Sequence, residues 1–123
     1  MVNVFIEIKR NATGHYFFIY KSVEDFFAVS SSFMSRSLLE GHLANIRKYG
    51  PSCEVYFNAT SVSFPCIEVE IIESTLYRFQ YLLSLNHSLM QSDLAFSLEV
   101  CLKRIQHFQD TIDDARIVDL TQE

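Results

Sequence analysis

The chain has no tryptophan, and its 123 residues include only three glycines, two prolines and three cysteines. So little Gly and Pro excludes a long flexible linker or a collagen-like repeat. Cys53, Cys66 and Cys101 are odd in number and show no CxxC spacing. That excludes a disulfide framework and reads as reduced, mostly buried thiols. No apolar run approaches the roughly 20 residues of a membrane span. The opening Met1-Val2-Asn3-Val4-Phe5 has no basic stretch followed by a long apolar one, so it reads as the start of a strand and not as a signal peptide. The expected location is cytoplasmic. In that setting the N-x-S/T sequences at Asn11, Asn58 and Asn86 are read as turns.

What is present is ordinary globular material, 49% apolar and 20% charged, of a length that suits one domain. The net charge of −5 is uneven. Residues 1–62 carry six Lys/Arg and five Asp/Glu; residues 63–123 carry four and ten. An acidic second half argues against binding a phosphate backbone, which needs clustered cations, so no nucleic acid is expected.

The chain repeats itself. Tyr16-Phe17-Phe18-Ile19-Tyr20 and Tyr77-Arg78-Phe79-Gln80-Tyr81 share Tyr-x-Phe-x-Tyr, 61 residues apart. Each follows an alternating run, Val4/Ile6/Ile8 or Ile67/Val69/Ile71, and precedes a short apolar stretch, Phe26–Val29 or Leu89-Met90. Ser31 is then set over Ser92, with one residue inserted near the second hairpin. Helical spacing follows in both copies. Leu38, Leu39, Leu43 and Ile46 come after a capping Ser35; Val100, Cys101, Ile105 and Phe108 come after Ser97. Each copy closes on a strand, Cys53–Phe57 or Ala115–Asp119. Turns are expected at Asn11–Gly14, Val23–Asp25, Glu73–Thr75 and Leu85–His87. The reading is α+β: one domain, 1–123, of two β-β-β-α-β repeats, about 1–62 and 63–123. A unit of about 60 residues makes a thin core alone, so both repeats are expected to share one sheet with both helices on one face.

Asp114–Thr121, Ser35–Lys48 and the paired Tyr-x-Phe-x-Tyr strands together resemble the YegP-like family of small bacterial proteins over nearly the whole chain. The resemblance implies one antiparallel sheet in which the closing strands are exchanged between repeats. Ile117-Val118 would then lie against the first repeat and Val55-Tyr56 against the second. The family has no established activity, so no catalytic residue is carried over. His42 and Arg104 stand where the family has a helix glycine, so the helices stand off or these side chains point outward. The family's Asp-x-Thr ending survives at Asp119 and Thr121 but has become Phe57-Asn58-Ala59 in the first repeat.

Chemistry-bearing residues are sparse. His15, His42, His87 and His107 show no ligand spacing, and no metal or other cofactor is expected. Cys101 is the most central thiol, but it occupies an apolar helix position that suits an inert side chain better than a nucleophile. Glu68/Glu70/Glu73 and Asp110/Asp113/Asp114 read as solvated. The outer side of the first repeat's sheet is more informative. Phe5, Phe17 and Ile19 should lie there, where the second repeat offers Glu68, Arg78 and Gln80. Three such residues on adjacent strands form a candidate partner or homodimer surface, unless terminal residues or a bent sheet cover them. The expected function is a non-enzymatic interaction or self-associating domain. The alternative is a small-ligand protein or enzyme using a groove between the two helices.

Overall fold

The structure, a computed structural model, describes residues 4–23, 26–57 and 63–121. Its elements run β1 (Val4–Arg10), β2 (Tyr16–Ser22), β3 (Phe26–Ser30), α1 (Arg36–Tyr49), a 3-10 turn (Gly50–Ser52), β4 (Glu54–Tyr56), β5 (Cys66–Glu73), β6 (Leu76–Ser84), β7 (His87–Ser92), α2 (Leu98–Thr111) and β8 (Arg116–Asp119). All strands form one sheet in the order β4-β5-β6-β7-β3-β2-β1-β8. Glu24-Asp25 of the second expected turn, and Asn58-Ala59 of the altered ending, lie outside the described residues.

Local chemistry explains the first hairpin and the helix starts. Asn11 Oδ1 accepts from the Thr13 backbone N–H at 3.1 Å, the Thr13 hydroxyl at 2.7 Å and the His15 N–H at 3.0 Å. Gly14 follows at φ 84°, where a side chain would be strained. Ser35 Oγ accepts from Leu38 N–H at 3.2 Å and Ser97 Oγ from Val100 N–H at 3.1 Å, satisfying a free donor at each helix start.

The repeats meet at β3 and β7, which pair antiparallel through Ala28–Ser92, Val29–Gln91 and Ser30–Met90. With 62 residues between copies, Ala28–Ser92 maps onto Met90–Ser30, and Val29–Gln91 maps onto itself. A pseudo-two-fold axis therefore passes between Val29 and Gln91. The buried hydroxyls fix this alignment. Ser30 Oγ accepts from Phe18 N–H at 2.8 Å and Ser92 Oγ from Phe79 N–H at 2.9 Å. Ser30, not Ser31, is thus the counterpart of Ser92. The inserted residue falls in β7, where pairing jumps from Tyr81–Met90 to Leu82–Ser88 and passes over Leu89. Periodicity could not see this, because a bulge turns two successive side chains inward; Leu89 and Met90 are both buried.

The closing strands are exchanged. β8 pairs with β1 and β4 with β5, so each repeat's last strand extends the other repeat's part of the sheet. Both pairs are parallel, so the sheet is mixed where an antiparallel one was expected. The helix that precedes each closing strand returns the chain across the sheet, and this reverses its direction.

Both helices cover one face. Phe108 of α2 packs edge-on against Tyr20 at 5.2 Å and tilted against Phe79 at 5.6 Å, one ring from each repeat. The Tyr20 hydroxyl pairs with Thr111 Oγ1 at 2.7 Å, and the Tyr81 hydroxyl donates to Asn45 Oδ1 at 2.8 Å. Each repeat's middle strand thus bonds the other repeat's helix. Leu39, Leu43, Ile46, Cys101 and Ile105 are buried, whereas Leu38 and Val100 of the expected core face are exposed on the first helical turn. His42 stacks on Phe33 at 5.1 Å, and Arg104 lies 5.4 Å over the Phe26 ring while donating to Leu94 O. Both of these helix side chains are half-buried, held over the Phe33 and Phe26 rings.

Phe108→Ala should cost about 3–5 kcal/mol, a large share of the stability of a small domain. Urea unfolding followed by circular dichroism and tyrosine fluorescence should show one shared transition at lower denaturant. Two separated transitions would contradict a core held in common.

Candidate functional site

Phe5 on β1 and Phe17 and Ile19 on β2 all lie on the face away from the helices, each half-buried. In register, Phe17 sits opposite Lys9, Phe5 opposite Lys21 and Ile19 opposite Glu7. Ile19 also sits opposite Val29 on β3, and Val118 opposite Glu7. Phe27, two residues before Val29, is 44% exposed. The apolar area therefore reaches onto β3, beyond the two adjacent strands expected to carry it. Phe26–Val29 is apolar throughout, so alternation could not tell which of its residues point outward. Glu7 forms ion pairs with Lys21 at 2.8 Å and Lys9 at 3.8 Å, and these charges border the β2–β3 patch on its β1 side and separate Phe5 from it. At the seam, beside Phe27 and Val29, a cleft of about 420 Å³ opens.

The same face of the second repeat is polar at its centre. Arg78 donates to Glu70 at 2.9 Å, Gln80 to Glu68 at 2.7 Å and Gln91 to Gln80 at 3.3 Å. Arg78 and Gln80 are the counterparts of Phe17 and Ile19. The counterpart of Phe5 is Cys66 and not Glu68, because Cys66–Leu82 matches Phe5–Lys21 in register. Cys66 and Leu82 are buried under Tyr56 and Phe64. That corner is apolar in the second repeat, whereas Phe5 stands between Lys21 and Arg116, and the apolar excess of the first repeat rests on Phe17 and Ile19.

The other sequence candidates do not converge. Among the described residues, no three His, Cys, Asp or Glu are grouped as a metal site would need. Burial pushes the thiols of Cys53 and Cys101 up to about 11 and raises that of Cys66, so each is held as a poorly nucleophilic thiol at neutral pH. His42 and His87 meet at 5.9 Å, and burial, then His87, lowers the His42 pKa. Five clefts among the described residues are each lined by one helix at most. Gln109 donates from α2 to Gly50 O and Cys53 O, both at 3.0 Å, tying α2 to the segment that follows α1.

Sequence reasoning noted the Asp119-x-Thr121 ending without giving it a role. Asp119 Oδ1 accepts from the Thr121 N–H at 2.9 Å and the Thr121 hydroxyl at 2.6 Å, and its other oxygen pairs with Arg36 at the start of α1. Arg36 also donates to Thr121 Oγ1 at 3.0 Å. This clamp ties the exchanged strand β8 to the first repeat's helix. The second repeat's counterparts of Arg36 and Asp119 are Leu98 and Phe57, so the clamp exists once.

The Thr121 hydrogen bond and then the Arg36 bond hold the Asp119 carboxyl near 2, well below its ordinary value. A carboxylate held low in the folded state adds stability above its unfolded value, near 4, and the gain fades as pH falls toward 2. Asp119→Asn should therefore lower the melting temperature at pH 7, with the difference from wild type shrinking as acid is added. A carboxyl titration followed by NMR should give an Asp119 midpoint near 2; an ordinary midpoint would show the clamp open in solution.

No family model and no curated protein matches the sequence. Solved structures do. A protein of unknown function, yegP from E. coli, solved by NMR, matches with a TM-score of 0.77 at 14% identity, covering 100% of this chain and 97% of that one. A UPF0339 protein from Shewanella oneidensis, also solved by NMR, matches with a TM-score of 0.76 at 13% identity, covering 97% and 92%. At that identity the likeness is one of fold, and the chain adopts the yegP fold from end to end.

Proposed function

We propose that the protein is a non-enzymatic interaction module whose contact surface is the outer face of the first repeat. The observation behind this reading is the inequality of the two outer faces. One fold element, written twice, carries Phe17 and Ile19 in one copy and Arg78 and Gln80 in the other. The pseudo-two-fold gives both positions the same backbone, so the fold places no apolar requirement on them. An apolar patch, bordered by charge on one side, that the fold does not require marks a contact surface. Phe27 and Val29 extend it to the seam. A second copy of the chain is the simplest occupant, meeting like face with like face across a two-fold axis. Among the described residues no helix is long and apolar enough to cross a membrane.

Light scattering across a concentration series should give a mass above that of one chain. Phe17→Glu should return it to one chain while leaving the circular dichroism unchanged, since Arg78 shows that the position accepts charge. An unchanged mass in the variant, with no copurifying protein lost, counts against the interface.

A further inference from the structure

On the helix side of the sheet, α1 and the exchanged strand β8 do not close completely. A cleft of about 230 Å³ runs between them, with Ile8, Leu43 and Ile117 as its floor. Arg36, Glu40, Ala44 and Arg47 line it from the helix. These four fall at i, i+4, i+8 and i+11, on one stripe with Leu43 at i+7. The cleft thus has an apolar floor with a cation near each end, about three helical turns apart.

The two cations are not equivalent. Arg36 is engaged by Asp119 and lies 3.9 Å from Glu40. Arg47 makes no ion pair among the described residues and donates only to two carbonyls, Asp113 O at 2.6 Å and Ala115 O at 3.2 Å. The side chains of Asp113 and Asp114 are exposed.

The second repeat supplies an internal control. Gln109 is the counterpart of Arg47, and Cys53 the counterpart of Ala115. Gln109 donates to Cys53 O as Arg47 donates to Ala115 O. A neutral amide therefore suffices to hold an exchanged strand's leading carbonyl. The positive charge of Arg47 is not needed for that hydrogen bond; it suits the C-terminal turn of α1, and it lines an apolar cleft. The second repeat's counterparts of Arg36 and Glu40 are Leu98 and Leu102, so the charge pattern exists on one side only.

From this the geometry points to a binding site for a small aliphatic monocarboxylate, its chain on Ile8, Leu43 and Ile117 and its carboxylate on the Arg47 guanidinium. The volume lies below the roughly 300–1,000 Å³ of drug-sized pockets, which limits the chain to a few carbons. A guanidinium offers a carboxylate a forked pair of charge-assisted hydrogen bonds. Arg47 is in the last turn of α1, where the helix dipole opposes an anion. Selectivity for the anion therefore rests on the Arg47 charge. This site lies on the opposite side of the sheet from the proposed contact surface, and neither reading depends on the other.

The test uses hexanoate as probe, titrated through the millimolar range against the ¹⁵N-labelled full chain, with hexanol and hexylamine as controls. Saturable amide shifts confined to Leu43–Arg47 and Arg116–Val118 are expected for hexanoate, weaker ones for hexanol and none for hexylamine. Arg47→Gln, which copies the second repeat, should keep the fold and weaken hexanoate binding about tenfold, the scale of one charge-assisted contact. Ala44→Phe should block the cleft without touching Arg47, and covers the case in which Arg47→Gln fails to fold. No saturable shift with wild type, equal binding of hexylamine, or full binding by either folded variant overturns the assignment.

Discussion

Three residue pairs join the two repeats along β3 and β7, and the rest of the molecule depends on that short seam. It sets the strand order and places both helices on one face. It also brings Tyr20 under α2 and Tyr81 under α1. Burial raises the Tyr20 phenol to about 12, with Thr111 acting against it, so this polar tip is neutral and spent on a hydrogen bond across the repeats. Without the seam, each repeat would be a three-stranded meander with one helix and an unpaired last strand, a unit too small to bury much of its own surface.

The exchange of closing strands reinforces the seam from the outside. Each outer edge of the sheet is a short strand that belongs, by sequence, to the far repeat. Short edges offer little template for pairing with another chain. On one edge the strand is also pinned to a helix by Arg36, Asp119 and Thr121; on the other, Gln109 reaches the carbonyls of Gly50 and Cys53.

Much of this was legible in the residues. Tyr-x-Phe-x-Tyr and the two capping serines mark the repeat, because alternation and caps are local and survive divergence. Strand exchange came through the resemblance, since the sequence pattern of a strand does not name its neighbour. The parallel direction of β4 and β8 was not legible: three or four residues read the same whichever way they pair. Which residue near the second hairpin is the inserted one, Leu89, was not legible, because a bulge breaks the period of two. The wrong counterpart for Phe5 has the same root, since Val4/Ile6/Ile8 can slide by two residues against Ile67/Val69/Ile71 without breaking alternation, and only hydrogen-bond register decides. Phe17 and Ile19 were placed correctly because the Tyr-x-Phe-x-Tyr frame fixes their parity. The cleft beside Arg47 was invisible, because its walls come from β1, α1 and β8.

Joining two repeats in one chain removes a constraint that a pair of identical subunits could not escape. In a true two-fold dimer every innovation appears twice, once on each side of the axis, with its cost to folding doubled. Here Arg47 faces Gln109, and Phe17 faces Arg78, across the same pseudo-axis. The covalent link lets the two copies differ at matched positions, in a structural clamp such as Arg36–Asp119 as well as on the surface, while both keep the architecture.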